Sequence, residues 1–313
     1  MIEIIKENNN LIYMNYLVDI DDHSIIQILK AKYRFSTNYI KYLKTHNKIL
    51  LNNEVVNISH SISIGDCISI ILSNDEQSDN IVPTPMELDI LYEDDFLLVV
   101  NKPFGMPIHP SMNHYTDSLS NGIKNYYMQN NLNYKIHPIT RLDKDTSGIV
   151  IFAKFPFIQE QLSIQMRNEK FIKKYIAFVH GKFSPESGII DLPIVRKSDS
   201  IIERVVDETQ TQEKHQSISL YKTLHYDEKL NYSEVEFQLV TGKTHQIRVH
   251  SSHLGHPLIG DTLYGTPSNL ISRQALHCYY IEFIHPIYNN ILRIKTQLPD
   301  DMKNLIIQKW DDF

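Results

Sequence analysis

The stretch His137-Pro138-Ile139-Thr140-Arg141-Leu142-Asp143-Lys144-Asp145-Thr146-Ser147-Gly148-Ile149-Val150-Ile151-Phe152-Ala153-Lys154 decides how the chain is read. Its first half is polar and turn-rich. Its second half is a short apolar run with β-branched residues, the pattern of a buried strand. Gly148 stands at the junction, where a tight turn is expected. Asp143 and Asp145 therefore sit on a loop feeding a core strand, a place where a rigid scaffold can hold a reactive carboxylate. The plain alternative is that the two aspartates cap a turn.

Working outward, Ile90 to Asp95 leads into a strand, Phe96 to Val100, which ends in the turn Asn101-Lys102-Pro103-Phe104-Gly105-Met106-Pro107. Thr116 is placed to cap a helix through Leu119, Ile123 and Tyr127. Downstream, Ile158, Leu162 and Met166 recur at helical spacing. In Lys173-Lys174-Tyr175-Ile176-Ala177-Phe178-Val179, alternation puts Tyr175, Ala177 and Val179 on one strand face; by itself such a Tyr is a core or sheet-surface residue. Residues 182–215 are polar and loop-rich. Strand-like runs near Ile218 to Leu224 and Tyr232 to Val240 suggest an antiparallel sheet.

A further polar block is Thr241-Gly242-Lys243-Thr244-His245-Gln246-Ile247-Arg248-Val249-His250. Read as a strand, it places Thr244, Gln246, Arg248 and His250 on one face and anchors the core with Ile247 and Val249. His245, His250, His253 and His256 suggest a metal at first sight. No cysteine lies nearby and strand alternation separates His245 from His250, so no metal is expected.

Residues 12–72 read as a small unit. Ser24 is placed to cap a helix carrying Ile25, Ile28 and Leu29, and a second helix starts near Ser36 or Thr37 with Ile40 and Leu43. A strand at Lys48 to Leu51, a turn at Asn52-Asn53, Val55-Val56 and Cys67 to Leu72 complete it. Lys30, Lys32, Arg34, Lys41, Lys44 and Lys48 fall in this unit with no acid among them. Such a run is either a solvated face or a phosphate-binding one. Residues 73–83 read as a linker, and 84–313 as the larger domain.

The 313 residues suffice for one large or two smaller domains, and 42% hydrophobic with 22% charged residues is ordinary for a soluble globular chain. The net charge of −6 announces no nucleic acid globally, but local patches matter more than the total. Cys67 and Cys278 lie far apart and form no metal or redox spacing. Reduced thiols and a cytoplasmic location are expected, as no signal-peptide pattern or membrane-length apolar run is seen.

Arg141-Leu142-Asp143-x-x-Thr146-Ser147-Gly148 resembles the signature of the RluA-type pseudouridine synthases. That family usually has His before the Arg; here Thr140 stands there. The Asn101–Pro107 turn with His109-Pro110 resembles the family too, as does the Thr241–His250 block, with Lys243 where Arg is common. Arg273-Gln274-Ala275-Leu276-His277 extends the likeness, which covers about 84–313. Residues 12–72 look like the RNA-binding domain named after ribosomal small-subunit protein four.

The resemblance implies isomerisation of uridine in RNA to pseudouridine. Asp143 would be the catalytic residue, Arg248 its partner, Tyr175 an active-site aromatic, and Leu276 an apolar wall of the uracil pocket, although core alone would also explain Leu276. Arg141 is a candidate for filling the space left by a flipped base or for holding a phosphate. Substrate and product have the same formula, so no cofactor is expected. The chemistry needs an ionised carboxylate, and an Arg beside it favours the charged form. The partner would be RNA, ribosomal rather than transfer RNA, with no membrane and a monomeric chain. The implied fold is α+β: a mixed, largely antiparallel sheet with flanking helices and a central RNA cleft, preceded by a small α/β RNA-binding domain. Two other classes stay open: a non-catalytic RNA-binding protein of ribosome assembly, and a carboxylate-dependent N-glycosidase with Asp145 as second acid.

Overall fold

A computed structural model of the chain describes residues 2–6, 11–19, 24–72, 81–209 and 216–306. The N-terminal strands and helices are β1 (Ile2–Lys6), β2 (Ile12–Leu17), α1 (Ile25–Ala31), α2 (Thr37–Thr45), β3 (Ile49–Leu51), β4 (Glu54–Val55) and β5 (Cys67–Leu72). Their antiparallel sheet runs β1-β2-β5-β3-β4. Both helices begin where their polar caps predict. Ser24 N–H donates to Gln27 Oε1 at 2.7 Å, and Ser36 Oγ accepts from Tyr39 N–H at 3.2 Å. The apolar spacing also predicts the buried faces, Ile25, Ile28 and Leu29 on α1 and Ile40 and Leu43 on α2. β1 is an addition to the expected unit: half-buried and at the sheet edge, it carries little periodic signal.

The larger sheet is built from β6 (Asp89–Glu93), β7 (Leu97–Lys102), β8 (His137–Pro138), β9 (Ser147–Ala153), β10 (Ile172–His180), β11 (Ser187–Asp191), β14 (Ile218–Asp227), β15 (Tyr232–Leu239), β16 (Leu276–Ile284) and β17 (Ile291–Lys295). Its order is β11-β14-β15-β10-β16-β9-β7-β6, with β17 against β16 and β8 against β9. Around it lie α3 (Leu119–Gln129), α4 (Pro156–Arg167), α5 (Gln246–His253) and α6 (Asp300–Lys303), and a separate ribbon pairs β12 (Ile194–Arg196) with β13 (Arg204–Val206). Among the described residues only β9 and β16 pair in parallel, through Ser147–His277 and Gly148–Cys278. The chain is α+β with a mixed, largely antiparallel sheet. All seven residues of β9 are buried, as expected of a central strand covered on both faces.

Three expectations change. The loop-rich stretch 182–215 contains β11, β12 and β13, short strands whose polar residues hide the alternation. The helix foreseen from Thr116 starts instead after Ser118, whose N–H donates to Asn121 Oδ1. The Thr241–His250 block is not a strand; it turns into α5. Gln246 drives that change. Its Oε1 accepts the Lys243 N–H at 2.9 Å and the Thr241 hydroxyl at 3.0 Å, and these bonds close the turn before the helix. Every residue from Gln246 to Ser251 is buried, so α5 has no polar stripe to betray its period.

The two sheets are joined by packing. The Phe35 and Tyr39 rings lie 5.1 and 5.3 Å from that of Phe157 on α4. Gln161 Nε2 donates to the Tyr33 carbonyl at 3.2 Å, and Lys6 pairs with Asp95. No described helix is long and apolar enough to cross a membrane.

Candidate active site

Asp143 is positioned by the backbone on either side of it. Thr146 N–H donates to the Asp143 carbonyl at 3.1 Å and closes the turn. Gly148 has φ +117°, and a Cβ there would sit 2.2 Å from the Cys278 carbonyl oxygen. Only glycine lets β9 approach β16 so closely.

Two buried cations anchor the loop from behind. Lys102, at the end of β7, is fully buried. Its Nζ donates to the carbonyls of Pro103 and Met106 at 2.8 Å and of Lys144 at 2.9 Å, so one ammonium ties the turn after β7 to the Asp143 loop. Burial pulls its pKa down to about 7. Arg273 Nη1 donates to the Asp145 and Leu276 carbonyls at 3.1 Å, while Nε and Nη2 grip Asp301 at 2.7 and 3.0 Å.

Arg248 reaches Asp143 from α5, with Nη1 3.3 Å from Oδ2. The pairing expected from the resemblance is present, but Arg248's closer partner is Asp261. Nε and Nη2 donate to the two Asp261 oxygens at 2.7 and 2.8 Å, the planar fork of a bidentate pair. Asp261 also accepts the N–H groups of Leu263 and Tyr264. Burial alone would push both groups toward neutrality, yet each holds the other charged: Arg248 stays above its ordinary pKa and Asp261 below. His245 faces the same Asp143 oxygen, with Nε2 at 3.7 Å.

Tyr175 lies on β10 opposite Phe237 and Cys278. Burial holds its phenol well above the usual range, and the Asp143 charge adds to that, so it is an un-ionised ring in this surround. Leu276 is buried at the start of β16 opposite Ala177. Arg141 is exposed on the Asp143 loop. On the N-terminal unit, Lys30, Arg34, Lys41 and Lys44 are exposed. Lys32 is half-buried over the Tyr16 ring, and Lys48 is buried with its ammonium on the Tyr42 hydroxyl at 2.8 Å. None of these six is among the residues just described around Asp143. The histidines of the second block have separate partners: His250 bonds to Ser219 and the Leu192 carbonyl, His256 to the His180 carbonyl.

The sequence profile of RNA pseudouridylate synthases matches residues 96–253, a span that holds both Asp143 and Arg248. Over 257 residues the chain is 40% identical to the uncharacterized RNA pseudouridine synthase YjbO of Bacillus subtilis, covering 82% of this chain and 88% of that one. This chain belongs to the RNA pseudouridylate synthase family. The synthase is also 33% identical over 298 residues to the ribosomal large subunit pseudouridine synthase D of Buchnera aphidicola from Schizaphis graminum, covering 90% and 92% of the two chains. Its fold matches human RNA pseudouridylate synthase domain containing 1 with a TM-score of 0.56, at 24% identity over 68% and 84% of the two chains. The synthase converts uridine in RNA to pseudouridine. Lys102, His245, Asp261 and Arg273 are parts of this site to which the sequence reading gave no catalytic or binding role. A lysine closing an apolar strand was the available signal for Lys102; Gly260-Asp261 continues the family-like block after His256, but its pairing with Arg248 has no local sign.

Proposed function

We propose that Asp143 is the carboxylate on which the isomerisation turns, with Arg248 paired to it, Tyr175 and Leu276 walling the uracil, and a uridine of ribosomal RNA as substrate. The observation that carries this is the convergence on one partly exposed carboxylate, 28% accessible, of a guanidinium already locked by a second, buried carboxylate. Such a preorganised charge needs no reorganisation when the reaction begins. The N1–C1′ bond of the nucleotide breaks, the C5–C1′ bond forms, and the C5 proton is replaced by one on N1, so atoms balance without a cofactor. The names of relatives that act on the ribosomal large subunit support ribosomal over transfer RNA as the target. Within this reading the chain works as a cytoplasmic monomer, residues 12–72 dock RNA through Lys30, Arg34, Lys41 and Lys44, and Arg141 supports a flipped-out site. The division at 73–83 separates docking from chemistry; of that linker, residues 73–80 lie outside the described residues.

The test is Asp143→Asn, which keeps the size and loses the charge. Pseudouridine formation is expected to vanish with RNA affinity retained; wild-type turnover would overturn the assignment. Free uracil in the wild-type reaction would favour the glycosidase, and the ribosomal target is checked by mapping pseudouridines in total RNA with and without the synthase.

A further inference from the structure

His245 is held in an unusual backbone state. Its φ of +59° is left-handed, at the residue just before α5, a state that non-glycine residues enter rarely. The consequence is a ring, 11% exposed, placed between Asp143 on one side and Tyr264 on the other. Nε2 is 3.7 Å from Asp143 Oδ2; Nδ1 is 2.8 Å from the Tyr264 hydroxyl, with the two rings edge to face at 5.5 Å. The Tyr264 oxygen in turn accepts the backbone N–H of Arg204 on β13 at 2.8 Å.

These contacts bear on which ring nitrogen carries the proton. Burial lowers the pKa of the imidazole, which favours the neutral ring with one bare nitrogen. The Tyr264 oxygen has a lone pair occupied by Arg204, and among the described residues Nδ1 is the acceptor within reach of its proton. With the Tyr264 hydroxyl donating to Nδ1, that nitrogen is bare and Nε2 bears the hydrogen. The opposite tautomer would turn an imidazole lone pair toward a carboxylate oxygen. Arg248 Nη1 and His245 Nε2 thus approach the same atom, Oδ2, and no described residue donates to Oδ1.

We propose that His245 is a positioning residue: Tyr264 fixes its Nε2–H tautomer, and the resulting N–H, with Arg248, engages Oδ2 of Asp143 and leaves Oδ1 as the oxygen that meets the ribose. This rests on Asp143 being the reacting carboxylate, while the tautomer itself does not. The 3.7 Å separation closes to a hydrogen bond by a small turn of either side chain, as contacts in unliganded sites commonly tighten on binding.

The experiment is long-range proton–nitrogen NMR on the full chain with labelled histidine. The His245 ring is expected neutral with its hydrogen on Nε2, and Tyr264→Phe is expected to mix the tautomers; a hydrogen on Nδ1 in the wild type overturns the proposal. In parallel, His245→Ala should lower kcat about ten- to a hundredfold, the loss of one donor to a charged group, with KM little changed. His245→Gln, which returns an N–H near the Nε2 position, should recover much of it and should be indifferent to Tyr264→Phe. A kcat for His245→Ala equal to wild type, or no advantage of Gln over Ala, overturns the role. If instead Asp143→Asn retains turnover while the Nε2–H signal stands, it is the assignment of Asp143 that has failed.

Discussion

Arg248 divides one guanidinium between two carboxylates of different burial, Asp261 with no side-chain exposure and Asp143 with 28%. Removing it therefore has two separable consequences. Arg248→Ala leaves a buried charge unpaired, which costs on the order of 3–5 kcal/mol, and it also strips Asp143 of its cation. Both Tm and turnover are expected to fall. Arg248→Lys should recover only part of each, because an ammonium cannot span both Asp261 oxygens. The double variant Arg248→Met with Asp261→Leu should regain most of the stability and none of the turnover, read by thermal denaturation beside a pseudouridine assay. Turnover returning with stability would mean that Arg248 matters only as scaffold.

At the scale of elements, the site depends on how β7, β9 and β16 meet. The β9–β16 contact has no room for a Cβ at Gly148, where the neighbour is backbone and cannot step aside. Gly148→Ala is expected to be severe, upward of about 3 kcal/mol by the combination of left-handed strain and overpacking; a Tm within a degree or two of wild type would show that the strands can separate without loss. Lys102 performs the complementary task from β7, where one ammonium serves three carbonyls. Lys102→Met keeps the apolar stem and strands those carbonyls. Amide exchange in the two turns, 103–106 and 143–146, should speed up well before the rest of the sheet, and turnover should drop with it. Uniform exchange across the molecule would refute this local tie.

Two properties belong to the whole molecule. Glu234, on β15, is 5% exposed, and its Oε1 has no partner among the described residues. Burial lifts its carboxyl from 4.5 to about 7. Between those values the folded chain holds a proton that the unfolded chain has released, so stability falls as pH rises through that window and levels off above it. Glu234→Gln is expected to flatten this decline and to stabilise the protein at pH 8 by about 1–3 kcal/mol, measured by denaturant titration at pH 5 and pH 8. An unchanged slope would mean that another group carries it. The second property is charge. Lys30, Arg34, Lys41 and Lys44 are exposed on a protein of net charge −6. Changing all four to Gln should flatten the log affinity against log salt plot by up to roughly three units if each meets a phosphate of single-stranded RNA. Lys48→Gln, whose ammonium is already engaged with Tyr42, should leave that slope alone.

Local signals were enough for the polar turn into a buried strand around Asp143, the caps and apolar faces of α1 and α2, and the alternation that puts Tyr175 on a strand, because each is decided by residues a few positions apart. The family phrase around Asp143 and Arg248 was equally legible. The helical state of Gln246 to His253 was not, since six consecutive residues from Gln246 to Ser251 are buried and leave no polar stripe, and short polar–apolar alternation fits a strand equally well. Nor could spacing reveal that Arg248 grips Asp261 more closely than Asp143, that Lys102 holds the carbonyl of Lys144, or that β9 runs parallel to β16. Those contacts join residues up to 130 positions apart, and they form only where the assembled sheet removes water and leaves each buried polar group a single geometry in which it is satisfied.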